Sequence, residues 1–191
     1  MANSKLIVIE GPQGAGKTTV TDYIRHSLKY TNLYRLCGTS DSSPSGFQKA
    51  KDMYLDLLEY LEKLENKSIN LLFDRTFFTE EIYSRLKFKE YEFAPAYEEI
   101  LEKFSKLDFD IYYITLYLED TSLFAKRLSR DGKAVIDYAK FDVQSSINQQ
   151  NAYLQMADEI SSKYPSIKVY KVSNDKDENE IKSKIRKILD F

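Results

Sequence analysis

The sequence predicts a doubly wound parallel α/β sheet, and three observations carry that expectation. Short apolar runs alternate with segments of helical periodicity along the whole chain. The runs are mostly continuous rather than alternating, as befits strands covered on both faces. The first of them passes through a glycine-rich turn straight into a helix. Five such runs predict five strands with helices on both sides, and the 191 residues predict one domain spanning 1–191.

Leu6 to Ile9 is an aliphatic strand, and Lys17 to Tyr30 is a helix with Val20, Ile24 and Leu28 on one face. Asn32 to Cys37 reads as a short second strand, followed by the loop "GTSDSSPSG". Phe47 to Glu65 is predicted as a long helix with Met53, Leu57, Leu61 and Leu64 on its buried stripe. "INLLFD", Ile69 to Asp74, is the third strand, with polar and aromatic residues at helical spacing behind it. Tyr91 to Leu107 is a helix with Pro95 near its first turn, where a missing N–H costs little. "DIYYITLYL", Asp110 to Leu118, is β-branched and aromatic, and forms the clearest strand. Thr121 is placed to cap a helix reaching Arg130, and a further helix runs from about Phe141 to Tyr164. The last strand is Ile167 to Val172. The last helix carries Ile181, Ile185, Ile188 and Leu189 after the capping-box spacing of Asp177 and Glu180.

Composition excludes several classes of function. A net charge of -2 lacks the basic excess of a nucleic-acid or anionic-membrane surface, so a polymeric nucleic acid is not an expected partner. One cysteine, Cys37, and one histidine, His26, leave no intrachain disulfide and no zinc site of the usual donors. The N-terminus lacks the pattern of a signal peptide, and no apolar run approaches the ~20 residues that span a bilayer. The expectation is a cytoplasmic protein without a membrane partner.

The residues that carry chemistry are in "LIVIEGPQGAGKTTV". Gly11, Gly16, Lys17 and Thr18 satisfy G-x-x-x-x-G-K-[ST] between a predicted strand and a predicted helix, which is the context that a phosphate-binding loop requires. Glycines let the backbone curl so that N–H groups point inward, and the helix N-terminus adds partial positive charge. Gln13, Gly14, Ala15, Gly16, Lys17, Thr18 and Thr19 thus form the candidate nucleotide cradle together with Gly11. Lys17 reaches the terminal phosphates of ATP and Thr18 ligates Mg²⁺. The competing explanation is a strand-to-helix turn with a solvated lysine. A guanine-reading N-K-x-D is absent, since "NKSIN" has Ile69 in place of the aspartate, and so is D-x-x-G. With so short a chain, this points to a P-loop nucleotide kinase.

"IVIEGPQGAGKTT" together with "LLFDRTFFTEEIY" resembles the thymidylate kinase and deoxynucleoside kinase branch of P-loop kinases. The resemblance implies that Asp74 holds Mg²⁺ in the Walker-B-like position and that Arg75 faces the transferred or acceptor phosphate. It implies that Thr79 and Tyr83 line the acceptor pocket, and that Arg127 and Arg130 belong to a short lid, about 127–140, closing over ATP. "VSND", Val172 to Asp175, falls where such kinases wrap adenine, although turn chemistry alone explains Asn174 and Asp175. Members of that family are commonly homodimers, and no stripe in this sequence forces one. Ion pairing at a strand end would equally explain Asp74 and Arg75, core packing Tyr83, and a solvated helix face Arg127 and Arg130.

The acceptor half departs from the family. Thymidylate kinases follow strand two with an arginine that holds the acceptor phosphate, whereas this chain reads "LCGTSDSSPSG" with no counterpart. Deoxynucleoside kinases place a glutamate base there, and the loop's one carboxylate is Asp41. Gln13 replaces an acidic residue and Ser84 a glutamine. A phosphate acceptor needs clamping by cations, for which Arg75, Arg85 and Lys87 are candidates; a hydroxyl acceptor needs a base, for which Asp41 or Asp74 would serve. Phe77, Phe78 and Tyr83 are candidates to stack a nucleobase. The expected function is ATP- and Mg²⁺-dependent phosphoryl transfer to a deoxynucleoside monophosphate. The alternatives are a kinase acting on a nucleoside, on another small hydroxyl compound or on a modified DNA base, and a P-loop module that binds nucleotide without catalysis.

Overall fold

The computed structural model describes residues 4–36, 38–130 and 142–191; Cys37 and the lid residues 131–140 lie outside the described residues, as does the predicted helix start at Phe141. Five strands, β1 (Lys5–Glu10), β2 (Thr31–Arg35), β3 (Asn70–Asp74), β4 (Asp110–Tyr117) and β5 (Ile167–Ser173), form one sheet in the order β2-β3-β1-β4-β5. Every pairing is parallel, with Ile9 opposite Asp74 and Glu10 opposite Thr115.

The helices are α1 (Lys17–Ser27), α2 (Gly46–Leu64), α3 (Phe77–Arg85), α4 (Ala94–Phe104), α5 (Leu123–Arg130), α6 (Val143–Lys163) and α7 (Glu178–Leu189). Side-chain alternation along the strands divides the core in two. Ile7, Ile9, Leu72 and Ile114 face Val20 and Ile24 of α1 and Ile181 and Ile185 of α7. Leu6, Val8, Phe73 and Tyr113 face a larger, aromatic layer contributed by α2, α3, α4 and α6. The doubly wound α/β expectation therefore holds.

Several element details differ from the sequence expectation. The buried residues of α2 include Ala50, Tyr54, Leu58 and Leu61; of the predicted stripe Leu61 is among them, Leu57 and Leu64 are partly buried beside it and Met53 is exposed. Both stripes have helical spacing; Tyr54 wins because its ring meets Phe77 and Phe93 edge-on, at 6.0 and 6.2 Å between centroids. Helix α4 starts only at Ala94, beside Pro95, because Tyr91 and Phe93 are used to pin the preceding turn. Asp120, rather than Thr121, receives the Ser122 N–H and hydroxyl ahead of α5. Asp177 caps α7 as predicted, accepting from the Asn179 and Glu180 N–H groups at 2.8 and 3.0 Å.

Chain direction places the site. From β1 the chain travels to β2 on one side, and from β4 to β5 on the other, so the carboxyl ends of these neighbouring strands open a crevice.

Candidate active site

The turn between β1 and α1 exists because glycine stands where another residue would collide. Gly11 has φ 141°, and a Cβ there would lie 2.6 Å from the Leu116 carbonyl oxygen of β4. Gly16 has φ 93° and is the N-cap of α1, without a side-chain cap for the first-turn N–H groups. A helix start of this kind turns its first N–H groups toward an anion. Lys17 is buried in that first turn and donates from Nζ to the Gly11 and Pro12 carbonyl oxygens, both at 2.8 Å, which holds its ammonium over the cradle. Thr18 and Thr19 are exposed beside it.

Distant residues brace the cradle. Asn174, just beyond β5, donates its side-chain amide to the Ala15 carbonyl oxygen at 2.8 Å. Arg127 of α5 donates to the Gly14 carbonyl oxygen at 3.2 Å and to the Asn174 carbonyl oxygen. Asp175 accepts the Glu119 and Asp120 N–H groups and so ties the β5 end to the β4–α5 loop. Asn174 and Asp175 thus do more than turn chemistry requires. Arg130 closes α5, its side chain falling outside the described residues.

The end of β3 supplies the opposite wall. Asp74 carries Arg35, the last residue of β2, at 3.5 Å, and Arg35 is held from its other side by Asp22 of α1 at 2.8 Å. Arg75 has φ 71°, a conformation that a non-glycine residue adopts at a cost of order 1–3 kcal/mol. Its N–H is bonded to the Ile9 carbonyl oxygen and its guanidinium to the Tyr83 hydroxyl at 3.4 Å. Behind it Glu10 is fully buried at the end of β1. Its carboxylate accepts the Thr76 N–H at 2.9 Å and the Thr79 hydroxyl at 2.7 Å. Burial pushes the Glu10 carboxyl up to about 7, against the pull of Thr79, Thr76, Arg75 and Lys17 toward the charged form.

Cradle and opposite wall enclose one open cavity of about 920 Å³, lined by Gln13, Gly14, Gly16, Lys17, Thr18 and Thr19 and by Arg35, Asp74, Arg75, Arg127, Asn174, Lys176, Glu178 and Ile181. Of the predicted cradle, Ala15 is buried beneath it and Gly11 sits under the turn. Among the described residues no cluster of three or more His, Cys, Asp or Glu side chains could hold a metal by itself. The Thr18 hydroxyl and Asp74 carboxylate are nevertheless the oxygen donors that suit Mg²⁺ when phosphates complete its shell.

The acceptor-side candidates fare differently. Arg85 is bound to Glu81 at 2.7 Å and Glu159 at 3.0 Å, and Lys87 is exposed and faces Glu92 at 3.6 Å, so neither lines the cavity. Phe77 and Phe78 are fully buried and stacked on each other at 4.2 Å, their faces already used by core neighbours. Ser84 pins the α3–α4 connection through the Tyr91 carbonyl oxygen and the Phe93 N–H. Asp41 accepts from Ser43, Ser45 and Lys49, and these hydrogen bonds, that of Lys49 foremost, hold its carboxyl well below the usual range. A buried Glu80–Lys89 pair at 3.2 Å, with Tyr91 and Thr39, fastens the loop after β2 to α3.

Sequence reasoning missed Arg35, Glu10 and Asn174 as site residues. Glu10 carried a signal, a lone charge at the end of an otherwise aliphatic buried strand. Arg35 fell inside the predicted strand Asn32 to Cys37, and only the pairing of β2 with β3 puts it opposite Asp74. Asn174 carried only the position of "VSND" after the last strand, and its partner Ala15, 159 residues away, could not be read from it.

No protein-family model matches the chain, and no curated protein matches it. Solved structures do. A thymidylate kinase from Candida albicans superposes with a TM-score of 0.70 at 16% identity, over 100% of this chain and 92% of that one. The YorR protein of Bacillus subtilis, in complex with phosphorylated GDP, gives 0.59 at 25% identity, over 97% and 95%. A deoxyadenosine kinase from M. mycoides with bound dCTP gives 0.59 at 18% identity, over 97% and 98%. The chain has the fold of the P-loop nucleotide kinases, of the thymidylate and deoxynucleoside kinase-like kind.

Proposed function

We propose that this chain is a cytoplasmic, ATP- and Mg²⁺-dependent kinase that transfers a phosphoryl group to a deoxynucleoside monophosphate, working as a single domain with a short lid. The observation that carries the reading is the charge of the cavity wall. Among the described residues, Lys17, Arg35, Arg75, Arg127 and Lys176 line it against Asp74 and Glu178. A monophosphate brings its own nucleophilic oxygen, so it needs cations to bring two anions together rather than a base. The carboxylates that could act as a base on a hydroxyl are engaged, Asp41 by Lys49 and two serines, Asp74 by Arg35.

The chain's own residues divide the work. The cradle N–H groups and Lys17 bind the donor phosphates, with Arg127 and Asn174 keeping the cradle closed. Arg75 and Arg35 face the acceptor side, where charge must be neutralised. Bound between Thr18, Asp74 and the phosphates, Mg²⁺ would supply further neutralisation of charge.

A screen of deoxynucleoside monophosphates, nucleosides and other acceptors with ATP tests this. Turnover with a monophosphate supports the reading, turnover only with a nucleoside or polymer replaces it with a hydroxyl kinase, and ATP binding without turnover replaces it with a nucleotide-binding module.

A further inference from the structure

We propose that Glu10 is a positioning residue that sets Arg75 for the acceptor phosphate by tying the end of β1 to the start of α3; this rests on the kinase reading above. Arg75 sits in a conformation that the chain does not adopt spontaneously, so its neighbours must hold it there. They do so from both sides. The Arg75 N–H is bonded to Ile9, and the Thr76 N–H, one residue on, is bonded to Glu10. Thr76 is the N-cap of α3 and yet caps nothing with its side chain, whose hydroxyl is 3.4 Å from the same Glu10 oxygen.

The second Glu10 oxygen accepts from Thr79, whose hydroxyl in turn meets Tyr153 of α6 at 2.8 Å. Donors therefore converge on both oxygens, an arrangement that fits the ionised carboxylate. Charged groups face it as well: Arg75 and Lys17 attract the carboxylate, while Tyr113 of β4 and Tyr153, both pushed well above the usual phenol range by burial, stay neutral. Among the described residues lining the cavity Glu10 is absent and Arg75 is present, so the buried carboxylate reaches the cavity through what it holds in place.

The variants Glu10→Gln and Glu10→Ala test the assignment. Glu10→Ala should lower kcat with the monophosphate by about 10²-fold while leaving ATP affinity little changed, because misplacing one group by an ångström costs that much. Glu10→Gln should recover part of the loss and lack the acid limb near pH 7 that is expected of the wild-type kcat profile. Should Glu10→Ala fail to fold, Glu10→Gln decides alone: an unchanged kcat with an unchanged acid limb overturns the proposal. If the wild type turns over no acceptor, the kinase reading has failed instead. The positioning claim is then read from solvent exchange of the Arg75 side-chain NMR signal, which should be slow in the wild type. Loss of protection in Glu10→Gln supports the proposal, and unchanged protection overturns it.

Discussion

The cradle half and the loop after β2 use polar residues in opposite ways. Around Gly11–Thr19 the side chains brace carbonyl groups from behind, and the N–H groups, Lys17 and Thr18 are presented to an open cavity. Around 38–45 the polar groups satisfy one another: Asp41 is bound by Ser43, Ser45 and Lys49, and Glu80 by Lys89, Tyr91 and Thr39. The carboxylates of this loop meet their partners within the fold, whereas Lys17, Arg35 and Arg75 line the cavity that a ligand would enter. That contrast is what favours a phosphate over a hydroxyl as acceptor in the function proposed above.

Removing Lys17 should have the largest effect. Lys17→Ala should reduce turnover by about 10³-fold, the scale set by deleting one preorganised donor to a developing charge. Its calorimetric ATP affinity should fall too, and unchanged affinity would leave the cradle without its main cation.

On the opposite side, Glu80→Ala should act on stability. It leaves Lys89, only 7% exposed, beside a vacated carboxylate site, at a cost of about 3–5 kcal/mol in denaturant unfolding. Loss of less than about 1 kcal/mol would show that the loop is not fastened by this pair.

Glu10 gives the contrast a pH dependence. Its carboxyl is raised from 4.5 to about 7, so between those values the folded chain binds more protons than the unfolded one. Stability therefore falls as pH rises through that window, and Glu10→Gln should escape a loss of about 3 kcal/mol. Urea unfolding of both forms at pH 5 and pH 8 checks this; a pH-independent difference between them contradicts the buried, titrating carboxyl.

Asp41→Asn should have the smallest effect, with monophosphate turnover within about twofold of the wild type. Abolished turnover would make Asp41 a base after all and turn the acceptor into a hydroxyl.

The order of strands and helices was legible because the central strands β1, β3 and β4 are runs too apolar for anything but a two-faced cover, and the helices repeat at 3.6 residues. The cradle was legible because its chemistry depends on glycine at fixed spacing. What the sequence by itself determined is thus local: Gly11, Gly16, Lys17 and Thr18 make a phosphate site wherever a strand precedes and a helix follows. Only the tertiary structure decided the rest. Which α2 stripe is buried depended on the rings that Tyr54 meets; which arginines face the cavity depended on whether a carboxylate such as Glu81 lay nearer than the crevice. Arg35, Glu10 and Asn174 joined the site because parallel strands align their carboxyl ends. Residues far apart in the chain thereby come to one edge, a proximity that no local pattern encodes.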